Sequence, residues 1–146
     1  MGKRCFFIGH RDAPDDIYPT LLRTVEQHIT EYGVTEFLAG HYGRFDRLAA
    51  NAVIAAKQRY PHIVLNLLLP YHPAEQPVSL PDGFDQTFYP PEMEKVPRRL
   101  AIVRANRYVV DHTDYLIAYV CHPASNAKNL VEYAEKRGVD ITLIKR

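Results

Sequence analysis

The chain has 146 residues, of which 47% are hydrophobic and 24% are charged, and its formal net charge is +1. This length and balance fit a single soluble domain, residues 1–146, with a core of its own. The near-neutral charge argues against a globally basic surface of the kind that coats nucleic acid. No apolar run approaches the ~20 residues of a membrane-spanning helix, and the first run is too short for a signal peptide.

The two cysteines, Cys5 and Cys121, both fall in apolar runs that are predicted to be strands. If those strands are parallel, Cys5 lies near the beginning of one and Cys121 at the end of the other, too far apart to form a disulfide. Two buried thiols fit a reducing compartment, so a cytoplasmic location is expected.

Strand and helix patterns alternate along the chain. Strands are predicted at 4–8, 35–39, 63–69, 115–121 and 139–144, and a short strand is compatible with 86–89. Helices are predicted from Asp15 or Asp16 to Gly33, from Phe45 to Pro61, over 98–111 and over 126–137. This order predicts a single Rossmann-like α/β domain with a doubly wound, mainly parallel sheet flanked by helices.

The segment from Pro70 to Pro97 interrupts the pattern, with seven of the eleven prolines and no helical period. A loop this long in a small domain is usually a lid, a binding loop or a disordered insert. Its aromatic residues either cover a base by ring stacking or anchor the loop to the core. They are Tyr71, Phe84, Phe88 and Tyr89.

Polar clusters follow three of the predicted strands, at 9–12, 40–46 and 122–126. Ligands of open α/β sheets bind at the carboxyl ends of the strands, so a binding crevice is expected there. The residues predicted to bind a ligand are Gly9, His10, Arg11, Gly40, His41, Gly43, Arg44, Phe45, Asp46, Arg107, His122, Ser125, Asn126 and Asn129.

Gly40 and Gly43 precede the second helix in a Gly-x-x-Gly-x-x-Asp spacing. Glycines allow close approach of a ligand, and a helix N-terminus favours a phosphate or carboxylate. The spacing is neither the dinucleotide fingerprint nor a P-loop. The alternative is an ordinary strand-to-helix turn with Asp46 as a partner of the helix dipole.

Arg11 and Arg107 are candidates to bind a phosphate or carboxylate through two parallel hydrogen bonds from the guanidinium group. For Arg107 the alternative is an ion pair with Asp111, one helical turn away. Arg104 is expected to have the same role as Arg107, either ligand binding or ion pairing. The three strand-end histidines, His10, His41 and His122, are positioned to contact a base or a phosphate. Their spacing matches no common metal motif, so neither a metal nor a cofactor is predicted.

Four segments resemble the SLOG superfamily. Residues 7–11 resemble its "TGHR" opening, 40–49 are similar to "GGALGFDxxA", 106–118 closely match "NRYMVDHSDLLIA", and 129–134 resemble "NTVRYA". The resemblance covers most of the chain outside 71–97 and is strongest to a solitary branch, distantly related to the DNA-uptake protein DprA and the Lonely Guy phosphoribohydrolases. It implies a Rossmann-like fold that binds a nucleotide or nucleotide-derived small molecule, and it is compatible with a homo-oligomer.

The resemblance also implies a second hypothesis, because some branches cleave the N-glycosidic bond of nucleoside monophosphates. A carboxylate would stabilise the oxocarbenium-like centre or activate water, and the candidates are Asp46 and Glu132. Ser125-Asn126-Ala127 stands where relatives carry Gly-Gly-Thr, which narrows the room for a phosphate.

A third hypothesis is a protein- or DNA-interaction module, with a local basic patch on the third helix formed by Arg98, Arg99, Arg104 and Arg107. The near-neutral net charge makes this the least favoured of the three hypotheses, so nucleic acid is not expected as a partner. A membrane is not expected either, because no apolar run is long enough to span one.

Overall fold

A six-stranded parallel sheet forms the centre of the molecule in the computed structural model, which describes residues 2–146. Its strands are β1 (Lys3–Gly9), β2 (Val34–Ala39), β3 (Val64–Leu68), β4 (Gln86–Phe88), β5 (Tyr115–Tyr119) and β6 (Asp140–Leu143). The spatial order is β4-β3-β2-β1-β5-β6, and every neighbouring pair is parallel. The predicted doubly wound α/β fold is confirmed, and the direction of winding reverses at β1.

Four α-helices cover the two faces of the sheet. They are α1 (Tyr18–Thr30), α2 (Arg44–Lys57), α3 (Ala101–Asp111) and α4 (Asn126–Lys136). Because alternate strand residues point to opposite faces, the sheet has two apolar cores. Phe7 and Phe37 pack under α1 and α2, whereas Phe6 and Leu38 pack under α3 and α4. None of the helices described over residues 2–146 has the length and apolar character needed to cross a bilayer.

The start of α1 differs from the prediction. Asp15 and Asp16 lie in a 3₁₀ turn, and no side chain caps the helix that follows. Their carboxylates instead pair with Arg44 at 3.0 Å and Arg146 at 3.1 Å. The predicted helix over 98–111 likewise opens with a 3₁₀ turn, Arg98–Leu100, before α3 begins.

The proline-rich segment is tied to the sheet rather than detached from it. The backbone N–H of Leu69 donates to the carbonyl of Phe88 at 2.8 Å, and that of Leu65 donates to the Asp85 carboxylate at 2.8 Å. Phe88 and Tyr89 pack against the core under α3 and α4. These contacts favour the anchoring interpretation of the aromatic residues in this loop.

The two cysteines are both free, as predicted, but only one of them is buried. Cys5 lies inside β1, whereas β5 ends at Tyr119 and leaves Cys121 exposed in the loop that follows. The prediction of a second buried thiol is therefore wrong, because the apolar run extends two residues beyond the strand.

His28 lies on the buried face of α1, edge-on to the rings of Tyr32 and Tyr115. Its Nδ1 is 2.7 Å from the carbonyl oxygen of Thr24, so Nδ1 carries the hydrogen and donates it. Its Nε2 has no hydrogen-bond partner within residues 2–146. Burial lowers the pKa of His28, and the Thr24 carbonyl opposes this shift only in part.

His28 is expected to lower the free energy of unfolding as the pH falls below about 6.5, where an unfolded histidine binds a proton that the folded one resists. Urea unfolding of wild type and His28→Phe at pH 7 and pH 5 measures this contribution as the difference between their pH dependences. The other buried groups that titrate in this range cancel in that difference: His10 and His41, whose pKa values burial also lowers, and Asp46, whose raised pKa of about 6 acts in the opposite direction. The matched control is His62→Ala at an exposed site. Equal pH dependence in wild type and His28→Phe would contradict the prediction.

Candidate functional site

A cleft of about 450 Å³ opens at the carboxyl ends of β1 and β2. It is enclosed by the loops after these strands, one face of α3 and the first turn of α4, at the edge where open α/β sheets bind ligands. Nine of the predicted site residues line it: Gly9, His10, Arg11, Gly40, Asp46, Arg107, Ser125, Asn126 and Asn129.

Other predicted site residues lie outside the lining of this cleft. Arg44 pairs with Asp15, Phe45 is completely buried in the core, and Glu132 is exposed on α4. The remaining residues outside the lining are His41, Gly43 and His122.

Two lining residues with polar side chains, Tyr42 and Asn106, are missing from the sequence-based predictions, and a third, Arg99, appears only in the basic patch of the third hypothesis. Val103 and Asn106 share the face of α3 that borders the cleft, and Arg99 lies four residues before Val103, in the 3₁₀ turn that precedes the helix. That periodicity is visible in the sequence. However, its polar members cannot be assigned to a site until the helix is placed against the sheet.

The glycines of the strand-end loops make room for the protein's own atoms. A Cβ atom on Gly43 would lie 2.7 Å from the Cα atom of Arg11, and one on Gly40 would lie 2.9 Å from Asp46 Oδ2. A Cβ atom on Gly9 would overlap the ring of Phe45. The space that the sequence assigned to a ligand is therefore used for close packing of the two loops.

The N-terminus of α2 is also satisfied within the protein. The N–H groups of Arg44 and Phe45 donate to the carbonyl oxygens of Arg11 and His10, at 3.0 and 3.4 Å. By contrast, the N-cap residue of α4, Ser125, and the first two residues of that helix, Asn126 and Ala127, line the cleft. First-turn amides have no acceptor inside their own helix, so it is the positive end of the α4 dipole that borders the cleft.

Three arginines around the cleft have no ion-pair partner among residues 2–146: Arg11, Arg99 and Arg107. The predicted alternative for Arg107 does not form, because Asp111 pairs with Arg137 at 3.3 Å and accepts a hydrogen bond from the Tyr133 hydroxyl. The Arg107 guanidinium lies 5.1 Å from the centre of the Tyr133 ring. The cleft thus contains guanidinium groups that are not neutralised by neighbouring carboxylates.

Asp46 is the one carboxylate among the described residues that line the cleft. Its Oδ2 atom accepts a hydrogen bond from the backbone N–H of Tyr42 at 3.1 Å. Burial raises the pKa of Asp46 to about 6, against the opposing effects of the Tyr42 N–H and the Arg11 charge. Since Glu132 does not line the cleft, the two candidate catalytic carboxylates do not flank a common space.

His10 and His122 converge, whereas His41 does not join them. The His10 and His122 rings are 4.4 Å apart between centres, and His41 instead stacks on Tyr42. His10 Nε2 accepts hydrogen bonds from the backbone N–H groups of Cys121 at 2.8 Å and His122 at 3.2 Å. Because both donors are N–H groups, Nε2 carries no hydrogen and the neutral His10 ring is protonated on Nδ1. Burial lowers the pKa of His10, which favours this neutral form.

Comparison with protein-family models and with curated proteins yields no match. Among solved structures, the chain is similar to DNA processing protein A (DprA) from Streptococcus pneumoniae, with a TM-score of 0.70 and 14% identity over 97% of this chain and 50% of that one. It is also similar to DprA from Helicobacter pylori, with a TM-score of 0.64 and 15% identity over 97% of this chain and 64% of that one. The chain therefore spans between half and two thirds of the length of these proteins.

The expectation that nucleic acid is not a partner is corrected by this comparison, because the H. pylori structure describes single-stranded DNA binding by a protein of the same fold. The expectation rested on net charge, which averages over the whole surface. A phosphate responds mainly to charges within a Debye length of ~10 Å, and three arginines border one cleft here. The chain has the Rossmann-like α/β fold of the DNA processing protein A structures.

Proposed function

We propose that the cleft binds single-stranded nucleic acid, with its arginines on the phosphates. The observation that carries this proposal is the set of three arginines without ion pairs, Arg11, Arg99 and Arg107, around a cleft with one carboxylate. A guanidinium group matches the geometry of a phosphate with two parallel hydrogen bonds. The single-stranded DNA binding of the H. pylori protein with this fold supports the same assignment.

An aromatic ring beside the arginines is suited to a base, since Tyr42 lines the same cleft. Stacking of a base on an aromatic side chain contributes about 1–3 kcal/mol and tolerates any sequence. A duplex hides the faces of its bases, so only a single strand uses both the arginines and the Tyr42 ring.

We expect Arg107→Ala to weaken the binding of a fluorescently labelled single-stranded oligonucleotide about tenfold or more, because a hydrogen bond to a charged group contributes about 1.5–3 kcal/mol. Anisotropy titrations over a range of salt concentrations measure the loss. The slope of log K against log salt should shrink by about 0.7 for each phosphate contact removed.

The matched control is Arg23→Ala, an exposed arginine of α1 on the opposite face of the sheet. It should leave both the affinity and the slope unchanged. If Arg107→Ala binds the oligonucleotide as tightly as wild type with the same slope, the cleft is not the binding site. Equal affinity for a duplex of the same sequence would contradict the single-strand specificity.

A nucleotide-derived small molecule is the second candidate, and the volume of the cleft favours it. About 450 Å³ lies within the ~300–1,000 Å³ of small-molecule sites. Thermal shift against adenosine monophosphate, ADP-ribose, NAD and cyclic nucleotides tests it, since a ligand at 100 times its Kd stabilises the fold by about 2.7 kcal/mol. A shift that Arg107→Ala abolishes supports this candidate, and release of free base from the bound nucleotide would extend it to N-glycosidic cleavage. Unshifted melting with all four leaves the oligonucleotide as the ligand.

A further inference from the structure

Three metal-binding side chains meet where β1 and β5 end. The two strands are parallel neighbours with Gly9 opposite Tyr119, so the residues that follow each strand leave the sheet side by side. This brings His10 next to Cys121 and His122, and one donor atom from each lies within 4.8 Å of the other two. We propose that His10, Cys121 and His122 form a binding site for a transition-metal cation of the Zn²⁺ class.

The donor set determines the class of metal. One thiolate and two imidazoles suit Zn²⁺ and similar borderline cations, whereas Mg²⁺ and Ca²⁺ prefer oxygen ligands. Bonds of ~2.0–2.3 Å in tetrahedral geometry place neighbouring ligand atoms ~3.5 Å apart. The present separations of up to 4.8 Å must therefore close by about 1 Å. Cys121 and His122 are exposed, so their side chains can rotate into place when the contact between His122 and Asp12 rearranges.

His10 is already in the protonation state that a metal ligand requires. Its Nε2 lone pair accepts the N–H groups of Cys121 and His122, so no proton has to leave that nitrogen. When a cation takes this lone pair, water can reach the two released N–H groups, because both residues are exposed. The Cys121 thiol loses its proton to solvent as the sulfur–metal bond forms.

The carboxylate of Asp12 is the nearest candidate for a fourth donor, with Oδ2 3.5 Å from His122 Nε2. Histidine and carboxylate oxygen occur together in zinc sites that keep three or four protein ligands. A water molecule completes the shell if Asp12 stays outside it. The sequence predicts His10 and His122 at neighbouring strand ends but no metal there, because no metal-ligand spacing joins His10 to Cys121 and His122, more than a hundred residues further along the chain.

The test is titration of the reduced protein with Co²⁺, a spectroscopic probe for such sites. A thiolate bound to Co²⁺ produces a near-ultraviolet charge-transfer band that imidazole ligands alone do not. We expect wild type to develop this band and saturate at one equivalent. Cys121→Ser should abolish the band. His122→Ala should weaken Co²⁺ binding by about 100-fold or more, because losing even a residue that only hydrogen-bonds to a ligand lowers metal affinity by about 10–100-fold.

His41→Ala is the matched control, since His41 stacks on Tyr42 and lies outside the cluster. Melting without metal checks that the Cys121→Ser and His122→Ala variants fold, which we expect at exposed positions. Absence of the band in wild type, or its persistence in Cys121→Ser, would overturn the proposal. His10 also lines the cleft, so oligonucleotide binding by the arginines is measured separately, with a chelator present, and failure of either proposal leaves the other result standing.

Discussion

Replacing Phe45 with alanine is expected to lower the free energy of unfolding by about 3–5 kcal/mol, the cost of deleting a large buried ring. Phe45 is completely buried although it stands in the second residue of α2, beside the cleft. Its ring lies 6.4 Å from those of Phe7 and Tyr119 and fills the space above Gly9. Loss of the ring therefore leaves a cavity between the sheet and α2.

Chemical unfolding of Phe45→Ala measures this loss, and Phe45→Leu should show a smaller one because more of the volume remains. Leu80→Ala, at a side chain that is 42% exposed, is the control and should change stability by no more than about 0.5 kcal/mol. A Phe45→Ala protein of wild-type stability would show that this ring is not part of the core. It would then return Phe45 to the ligand-binding role predicted from the sequence.

Replacing Asp46 with asparagine is expected to stabilise the fold by about 1–3 kcal/mol at pH 8, given about 1.4 kcal/mol for each unit of pKa shift. Burial raises the pKa of Asp46 from 3.8 to about 6 in the folded state. A raised folded pKa means that the stability contributed by Asp46 is complete below pH 3.8 and is lost as the pH rises through about 6. The asparagine variant avoids this loss, and its oxygen still accepts the Tyr42 N–H.

Urea unfolding of wild type and Asp46→Asn at pH 8 and pH 4 measures the effect, and the difference should be much smaller at the lower pH. Glu132→Gln, the other candidate catalytic carboxylate, is exposed on α4 and should behave as wild type at both. A stabilisation that is the same at both pH values would contradict the role of ionisation.

The same variant separates binding from catalysis in the cleft. Asp46→Asn removes the one carboxylate among the described lining residues. We expect it to bind an oligonucleotide about fivefold more tightly, which corresponds to ~1 kcal/mol of repulsion between two charges a few ångströms apart in water. If instead a nucleotide is bound but no longer cleaved, Asp46 acts as the acid or base of an N-glycosidase.

The first turn of α2 thus contains a carboxylate, Asp46, that is expected to destabilise the fold at neutral pH. Asp46 accepts only one hydrogen bond within residues 2–146, from Tyr42, and Arg11 is the charge that opposes its raised pKa. Perturbed groups of this kind cluster at functional sites. The raised pKa of Asp46 therefore agrees with the function proposed for the cleft.

Local periodicity was sufficient to predict most of the architecture. Short apolar runs predicted the ends of β1, β2, β3 and β5 to within one or two residues. The alternation of these strands with helices along the chain predicted the parallel sheet. The location of the cleft also followed, since parallel strands separated by helices bring their carboxyl ends to one edge. These features depend on backbone geometry and on which face of each element is buried. Both can be read from the spacing of apolar residues within one segment of the sequence.

The partners of individual side chains were decided only by the tertiary structure. Asp111 pairs with Arg137 rather than with Arg107, one turn away on its own helix, because α4 packs beside α3. His10 meets Cys121 and His122 from the far end of the chain. The carbonyl oxygens of the loop after β1 accept hydrogen bonds from N–H groups at the start of α2. The sequence by itself predicts that these N–H groups bind a phosphate. Sequence spacing specifies which faces are buried, but hydrogen bonds and ion pairs act over a few ångströms, so which partner is in reach depends on how the packed elements lie against one another.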